Sequence, residues 1–291
     1  MGIELQYVEV LGSRMAYRSF GRGSHTVVFV HGVPTSSYIW RNIMNQMPDG
    51  VRCIAPDLIG MGDSDKPDID YTIHDHIKYF EGFMDQVCSG QYSLVLHGWG
   101  SVIGFDYAKK HQGALSGIAF YESYIQAVNH WDGLSLPVQE LVSDLSGDDC
   151  RSMVIDQNYL VEHFLPSGVM GGLNPDVHEV YRRPFTEKSS RKVLLQYVNE
   201  APIGRPKSVS LGVIKAYEQV IPSLDVPKLM IFAVPGFTAT MEAVAWCRNY
   251  MRNLTLLDLG EAYHFAQETC PGRFGKGLSN WLDAEVLTKT I

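Results

Sequence analysis

The fold is decided by Val95-Leu96-His97-Gly98-Trp99-Gly100-Ser101, near the middle of a chain of 291 residues. An apolar run ends there in small residues and is followed by a segment of helical length, which predicts a strand, a sharp turn and a helix. Turns of this type hold their central residue over the carboxyl end of a sheet, where a nucleophile is commonly placed. The central residue here is Gly98, which has no side chain. The stretch therefore predicts the backbone of a nucleophile site without the nucleophile.

Short apolar runs elsewhere in the chain predict further strands of the same sheet. Segments of helical length separate most of these runs, so strands and helices alternate along the chain. We therefore expect an α/β fold with a mostly parallel, doubly wound sheet, whose chemistry lies beyond the carboxyl ends of the strands. The predicted strands are Val27–Val30, Arg52–Ala55, Ser93–Leu96, Gly117–Tyr121, Lys228–Ala233 and Leu254–Leu259.

The alternation stops between residues 123 and 222. This part of the chain has no clear strand pattern, but it has amphipathic segments such as Tyr159–Leu165 and breaks at Pro166-Ser167-Gly168. We expect a helical cap at 123–222, inserted into an α/β core formed by 1–122 and 223–291. Insertions at that edge of a sheet usually cover a pocket. A second small domain with no part in the site is the alternative.

Composition and charge exclude several classes of function. The chain is 45% hydrophobic and 19% charged, which is typical of a globular protein with a large core. Its net charge of −8, and the lack of any basic run longer than Lys109-Lys110, argue against a nucleic-acid partner. No apolar run approaches the roughly 20 residues that a membrane span needs, and the first residues do not resemble a signal peptide. We expect a cytoplasmic monomer or homodimer.

The five cysteines are scattered and contain no Cys-x-x-Cys pair. This pattern predicts reduced structural thiols rather than disulfides or a metal site. We expect no cofactor.

Four motifs closely resemble the haloalkane dehalogenases and the related marine luciferase. They are His31–Arg41, Pro56–Lys66, the turn around Gly98, and Ala262–Glu268. Two segments of the predicted cap, Tyr181–Phe185 and Ala201–Ile203, extend the resemblance to nearly the whole chain. The resemblance implies an α/β-hydrolase fold with a helical cap.

The resemblance also implies a histidine and an acid that orients it. By position the histidine is His264, after the sixth predicted strand, and the acid is Glu122, directly after the strand Gly117–Tyr121. The other place for the acid, after Lys228–Ala233, holds Val234-Pro235-Gly236 and no carboxylate. A carboxylate that accepts the Nδ1 proton leaves Nε2 free to act as a base. We expect His264 and Glu122 to be catalytic.

Two positions depart from the family pattern. The family has its nucleophilic aspartate where Gly98 stands and a halide-binding asparagine where Val33 stands, so the resemblance implies the loss of halide displacement through an alkyl ester. Trp99, the second halide donor, is retained, and the backbone N–H groups of Val33 and Trp99 are expected to form an oxyanion hole. Ser101 lies in the first helical turn after the elbow and is not expected to replace the nucleophile.

These residues favour non-covalent chemistry on a bulky apolar small molecule. We expect a cyclase or pericyclase such as a Diels–Alderase, an isomerase or a lyase of secondary metabolism. The residues expected to contact its substrate are Val33, Gly98, Trp99, Tyr124, Trp131, Leu160 and Phe164.

Three other functions stay open at this point. A hydrolase of dehalogenase type could act through a water activated by His264, or be inactive at the nucleophile. A cofactor-free oxygenase would resemble the luciferase branch. A non-catalytic protein would keep the pocket for binding alone.

Overall fold

An eight-stranded sheet forms the centre of the computed structural model, which describes residues 2–128, 130–202 and 208–289. The strand order is β1-β2-β4-β3-β5-β6-β7-β8, and β3 to β8 pair in parallel. The strands are Glu4–Val10 (β1), Ser13–Gly21 (β2), His25–Val30 (β3), Val51–Pro56 (β4), Tyr92–Gly98 (β5), Leu115–Ser123 (β6), Lys228–Phe232 (β7) and Leu254–Asp258 (β8). The predicted α/β class with a mostly parallel sheet is confirmed.

The central strands are buried on both faces because helices cover both sides of the sheet. Every residue of β3 and β5 is buried, which explains their continuous apolar sequences. All six predicted strands are present, with ends that differ from the predicted ones by at most two residues.

The N-terminal hairpin of β1 and β2 was not among the predicted strands. These strands pair antiparallel with each other, and β2 also pairs antiparallel with β4. The sequence alternates in polarity over Glu4-Leu5-Gln6-Tyr7, as expected for a strand at the edge of a sheet, but the alternation breaks at Val8. The turn at Leu11 and Gly12, both with positive φ, was a further signal for a hairpin.

Helices connect the parallel strands and form the inserted segment. Outside that segment they are Arg41–Met44 (α1), Ile73–Val87 (α2) and Trp99–Lys110 (α3). Between β6 and β7 they are Leu136–Asp144 (α4), Cys150–Ile155 (α5), Leu165–Ser167 (α6), Pro175–Arg182 (α7), Lys192–Glu200 (α8) and Val209–Glu218 (α9), with a π-helical turn at Leu160–Phe164. After β7 follow Met241–Tyr250 (α10), Ala266–Thr269 (α11) and Pro271–Trp281 (α12).

The segment between β6 and β7 contains helices and turns but no strand among its described residues. Its buried side chains, among them Leu160, Tyr181 and Tyr197, belong to the same apolar core as the residues of the sheet. The cap boundaries at 123 and 222 stay a prediction, and Ile203 of the motif Ala201–Ile203 lies outside the described residues. None of the helices in the described ranges is long and apolar enough to cross a membrane.

Candidate active site

The turn from β5 into α3 places Gly98 at the carboxyl edge of the sheet. Its backbone has φ +51° and ψ −128°, a conformation that costs an ordinary residue about 1–3 kcal/mol and glycine almost nothing. The next glycine, Gly100, packs against the loop after β3, where an added Cβ would lie only 2.3 Å from the carbonyl oxygen of His31. The close approach therefore requires glycine at residue 100, whereas glycine at residue 98 relieves backbone strain.

His264 and Glu122 meet beside this turn. The Nδ1 atom of His264 lies 3.0 Å from Oε2 of Glu122, and both side chains are buried. Because Nδ1 faces a carboxylate, it carries the proton, and Nε2 is left without one. Nε2 faces the elbow, 3.4 Å from the point where a Cβ at residue 98 would lie. The predicted pair is thus brought together, with its basic nitrogen directed towards Gly98.

A loop after β7 holds the Glu122 carboxylate. The backbone N–H groups of Phe237 and Ala239 donate to Oε1 over 3.1 and 3.4 Å, and that of Thr238 donates to Oε2. These donors stabilise the ionised carboxylate. Glu122 itself lies within the last residues of β6 with φ +49°, an uncommon conformation for a residue other than glycine. We call residues 237–239 the carboxylate loop.

The sequence had no signal for the carboxylate loop, because a backbone donor has no residue preference. The region after β7 was considered only as an alternative source of the acid. It supplies the hydrogen bonds to Glu122 instead.

His97 supports the backbone of the loop that carries His264. Its Nε2 donates to the backbone carbonyl of His264 over 2.8 Å, and the two rings lie 4.7 Å apart. Burial holds the pKa of His97 well below its usual value, so this ring is neutral. His97 belongs to the elbow motif, but the sequence predicted no role for it. Its position fixes the backbone that carries His264.

The predicted donors Val33 and Trp99 are buried, and Trp99 packs against an aromatic residue of the segment between β6 and β7. Val33 and Trp99 are buried at the edge of the sheet, 3% and 2% exposed, and Trp99 Nε1 has no hydrogen-bond partner among the described residues. The ring of Tyr197 packs edge-on against Trp99, with centroids 5.1 Å apart, and its hydroxyl lies 3.1 Å from that of Tyr124. The indole N–H of Trp99 is therefore a buried donor available to a ligand.

Aromatic rings enclose His264. Phe164, Phe237 and Phe265 lie 5.6, 5.2 and 4.7 Å from its ring centroid. Phe164 was predicted at the site, whereas Phe237 and Phe265 were not. Leu160 is fully buried one turn before Phe164. Trp131, in contrast, is 44% exposed and makes no ring contact with another predicted site residue.

A largely buried ion pair ties the loop that carries His264 to the core and to the segment between β6 and β7. Glu268, four residues after His264, accepts two hydrogen bonds from Arg41 over 2.6 and 2.8 Å and one from the hydroxyl of Tyr181 over 2.5 Å. The N–H of Phe265 also donates to the carbonyl of Gly168 over 3.0 Å. These bonds fix His264 relative to the helices above it.

Comparison with known proteins places this arrangement in a family. Residues 25–144 match a family described as alpha/beta hydrolase fold. The haloalkane dehalogenase of Mesorhizobium japonicum is 35% identical over 285 residues, which cover 96% of this chain and 91% of that protein. The chain belongs to the haloalkane dehalogenase-like family of α/β hydrolases.

Other family members agree over the whole length. The haloalkane dehalogenase of Sphingobium indicum is 33% identical, with 95% of this chain and 94% of that protein covered. The crystal structure of haloalkane dehalogenase DbeA from Bradyrhizobium elkani matches with a TM-score of 0.91 at 32% identity, over 97% of this chain and 98% of that one.

The expected cyclase, isomerase or lyase activity is wrong. Relatives that are 33–35% identical over nearly the full chain are named haloalkane dehalogenases, which are hydrolases. The departures at Gly98 and Val33, on which the expectation rested, do not outweigh this similarity over nearly the whole chain. The hydrolase alternative fits the relatives better.

Proposed function

We propose that this protein is a hydrolase in which His264 activates a water molecule that attacks the substrate directly. The observation that carries the proposal is the position of His264 Nε2, which faces the elbow 3.4 Å from where a Cβ of residue 98 would lie. In this proposal the attacking water accepts a position beside Gly98, with its oxygen at a hydrogen-bonding distance of about 2.8 Å from Nε2. We take Gly98 to occupy the position of the family aspartate, so that water acts where that carboxylate would.

The reaction follows from the dyad. His264 Nε2 takes a proton from water while the water oxygen forms a bond to the electrophilic carbon. The bond to the leaving group breaks, and the leaving group keeps the electron pair. Glu122 stabilises the imidazolium through its hydrogen bond to Nδ1, and the proton then passes from Nε2 to solvent or to the leaving group.

We assign the stabilisation of the charge that develops to two groups. The indole N–H of Trp99 is buried without a partner among the described residues. The second group is the backbone N–H of Val33, the residue after Gly32, which packs against Gly98. Hydrogen bonds to developing charge in a buried site are commonly the largest single contribution to catalysis.

Val33 affects which substrate class is preferred. Its side chain is apolar and buried, so only Trp99 offers a side-chain donor to a departing halide. A carbonyl oxygen can instead use the backbone donors, which do not depend on the side chain. We therefore propose a small apolar ester as the better substrate, with haloalkanes, the substrates implied by the names of the relatives, as the second class.

The test is a kinetic comparison on short-chain p-nitrophenyl esters and short bromoalkanes. We expect His264→Ala to lower kcat/KM by about 10²–10⁴, and Glu122→Gln to lower it by a smaller factor. His74→Ala, on the exposed face of α2, is the matched control and is expected to leave kcat/KM unchanged. Equal turnover by His264→Ala and the parent would refute the proposal. Saturable binding without any product from either panel would favour a binding protein instead.

A further inference from the structure

The hydroxyl of Thr238 is a second polar group beside the Nδ1 atom of His264. Its Oγ1 lies 3.4 Å from Nδ1, while Oε2 of Glu122 lies 3.0 Å from the same nitrogen. One N–H group therefore faces two oxygens, a nearer carboxylate and a more distant hydroxyl. Thr238 was not among the predicted site residues.

The direction of this second hydrogen bond follows from the protonation of the ring. Nδ1 carries the ring proton because it faces the carboxylate of Glu122. A hydroxyl oxygen has two lone pairs, so beside a protonated nitrogen the hydroxyl of Thr238 acts as the acceptor. The Nδ1 proton of His264 is thus shared in a three-centre bond, of the kind that one N–H group forms with two oxygens.

The carboxylate loop fixes the hydroxyl relative to the dyad. The backbone N–H of Thr238 donates to Oε2 of Glu122, and the N–H groups of Phe237 and Ala239 donate to Oε1. The side chain of Thr238 is half-buried, and its branched Cβ restricts rotation about χ1. The same residue therefore holds the acid through its backbone and faces the base with its side chain.

A second acceptor contributes most when the ring becomes charged. In the proposed reaction Nε2 of His264 takes a proton from water, and hydrogen bonds from a charged ring are stronger than those from a neutral one. An interaction that strengthens in the transition state raises kcat and leaves substrate binding unchanged. We therefore expect the hydroxyl of Thr238 to affect kcat rather than KM.

We propose that Thr238 is a positioning residue of the dyad, and that its hydroxyl shares the Nδ1 proton of His264 with Glu122. The two oxygens on the Nδ1 side of the ring keep Nε2 directed towards the elbow and stabilise the imidazolium. The contribution to catalysis rests on the proposed hydrolysis, whereas the shared proton is observed without a substrate.

The kinetic test uses short-chain p-nitrophenyl esters and three variants. Thr238→Val removes the hydroxyl and nearly keeps the shape of the side chain, whereas Thr238→Ser keeps the hydroxyl. We expect Thr238→Val to lower kcat by about three- to tenfold with KM changed less than about twofold, and Thr238→Ser to restore kcat to within about twofold of the parent. Thr255→Val makes the same chemical change at an exposed position of β8 and is expected to leave both constants unchanged.

The second test needs no turnover. In protein that contains ¹⁵N-labelled histidine, the chemical shifts of Nδ1 and Nε2 are read through the carbon-bound ring protons, and His264→Ala assigns the signals of this ring. We expect Thr238→Val to move the Nδ1 signal more than the Nε2 signal. Thr238→Ser and Thr255→Val are expected to leave both signals close to those of the parent.

The two tests separate this inference from the proposed function. If the parent hydrolyses neither esters nor bromoalkanes, the proposed function fails, and the Nδ1 signal alone decides the role of Thr238. The positioning role is refuted if Thr238→Val leaves the Nδ1 signal in place, or if Thr238→Ser moves it as far as Thr238→Val does. Equal kcat values for an active parent and for Thr238→Val would also refute it.

Discussion

A methyl side chain placed at residue 98 should cost stability through backbone strain alone. The Cβ of Gly98→Ala or Gly98→Asp would lie at ordinary contact distances, 3.4 Å from His264 Nε2 and 3.5 Å from the Cα of Gly32, so no steric clash adds to the cost. The φ of +51° remains, and it costs a residue with a side chain about 1–3 kcal/mol. For a chain of this size we expect the melting temperature to fall by roughly 2–4 °C for each kcal/mol.

The same variants separate strain from chemistry. We expect both Gly98→Ala and Gly98→Asp to lose stability in urea titrations, and the two losses to differ because Gly98→Asp also buries a carboxylate beside His264. Only Gly98→Asp combined with Val33→Asn gains bromide release from 1-bromobutane. Gly113→Asp is the control, because its added Cβ meets no atom within 4 Å and its φ is not positive. Unchanged stability in both Gly98 variants would refute the strain argument, and a folded double variant that releases no bromide would refute the assignment of these two positions.

Three further predictions concern buried charge. Burial lowers the pKa of His76 to about 4 from 6.5, so the unfolded state binds more protons than the folded state between these pH values. The free energy of unfolding should therefore fall by up to about 3 kcal/mol as the pH drops from 6.5 to 4, and urea titrations of His76→Phe should show a smaller fall over this range. Glu268→Gln should destabilise the protein by about 3 kcal/mol, measured by its urea midpoint, because Arg41 keeps its charge in a mostly buried place; an effect below 0.5 kcal/mol would contradict this role. Lys228 donates from a buried site to the carbonyls of Leu224, Val226 and Arg252, so Lys228→Met should lower the melting temperature markedly, whereas the exposed Lys78→Met should not.

The sequence predicted the parts of the fold that depend on side-chain pattern. Continuous apolar runs located all six parallel strands, because strands covered on both faces need apolar side chains throughout. The hairpin of β1 and β2 was missed because the alternation of β1 breaks at Val8 and because its outward residues include the exposed Leu5 and Tyr7, which weaken the contrast between the two faces.

The candidate site was predicted where single side chains define it. His264 and Glu122 lie together, and Phe164 lies beside them. The carboxylate loop depends on backbone N–H groups, which any residue supplies, and the support from His97 depends on a contact between residues far apart in the chain. Trp131, a large aromatic residue of the predicted cap, is 44% exposed, and its contact with the substrate stays a prediction.

The source of the oxygen atom in the product tests the central claim most directly. In a single turnover with enzyme in excess in H₂¹⁸O, attack by a water activated by His264 places ¹⁸O in the first product formed. A covalent ester on the protein would instead pass an unlabelled protein oxygen to that product from a bromoalkane and leave the label in the protein. We predict labelled product and unlabelled protein; unlabelled product in the first turnover would contradict direct attack by water.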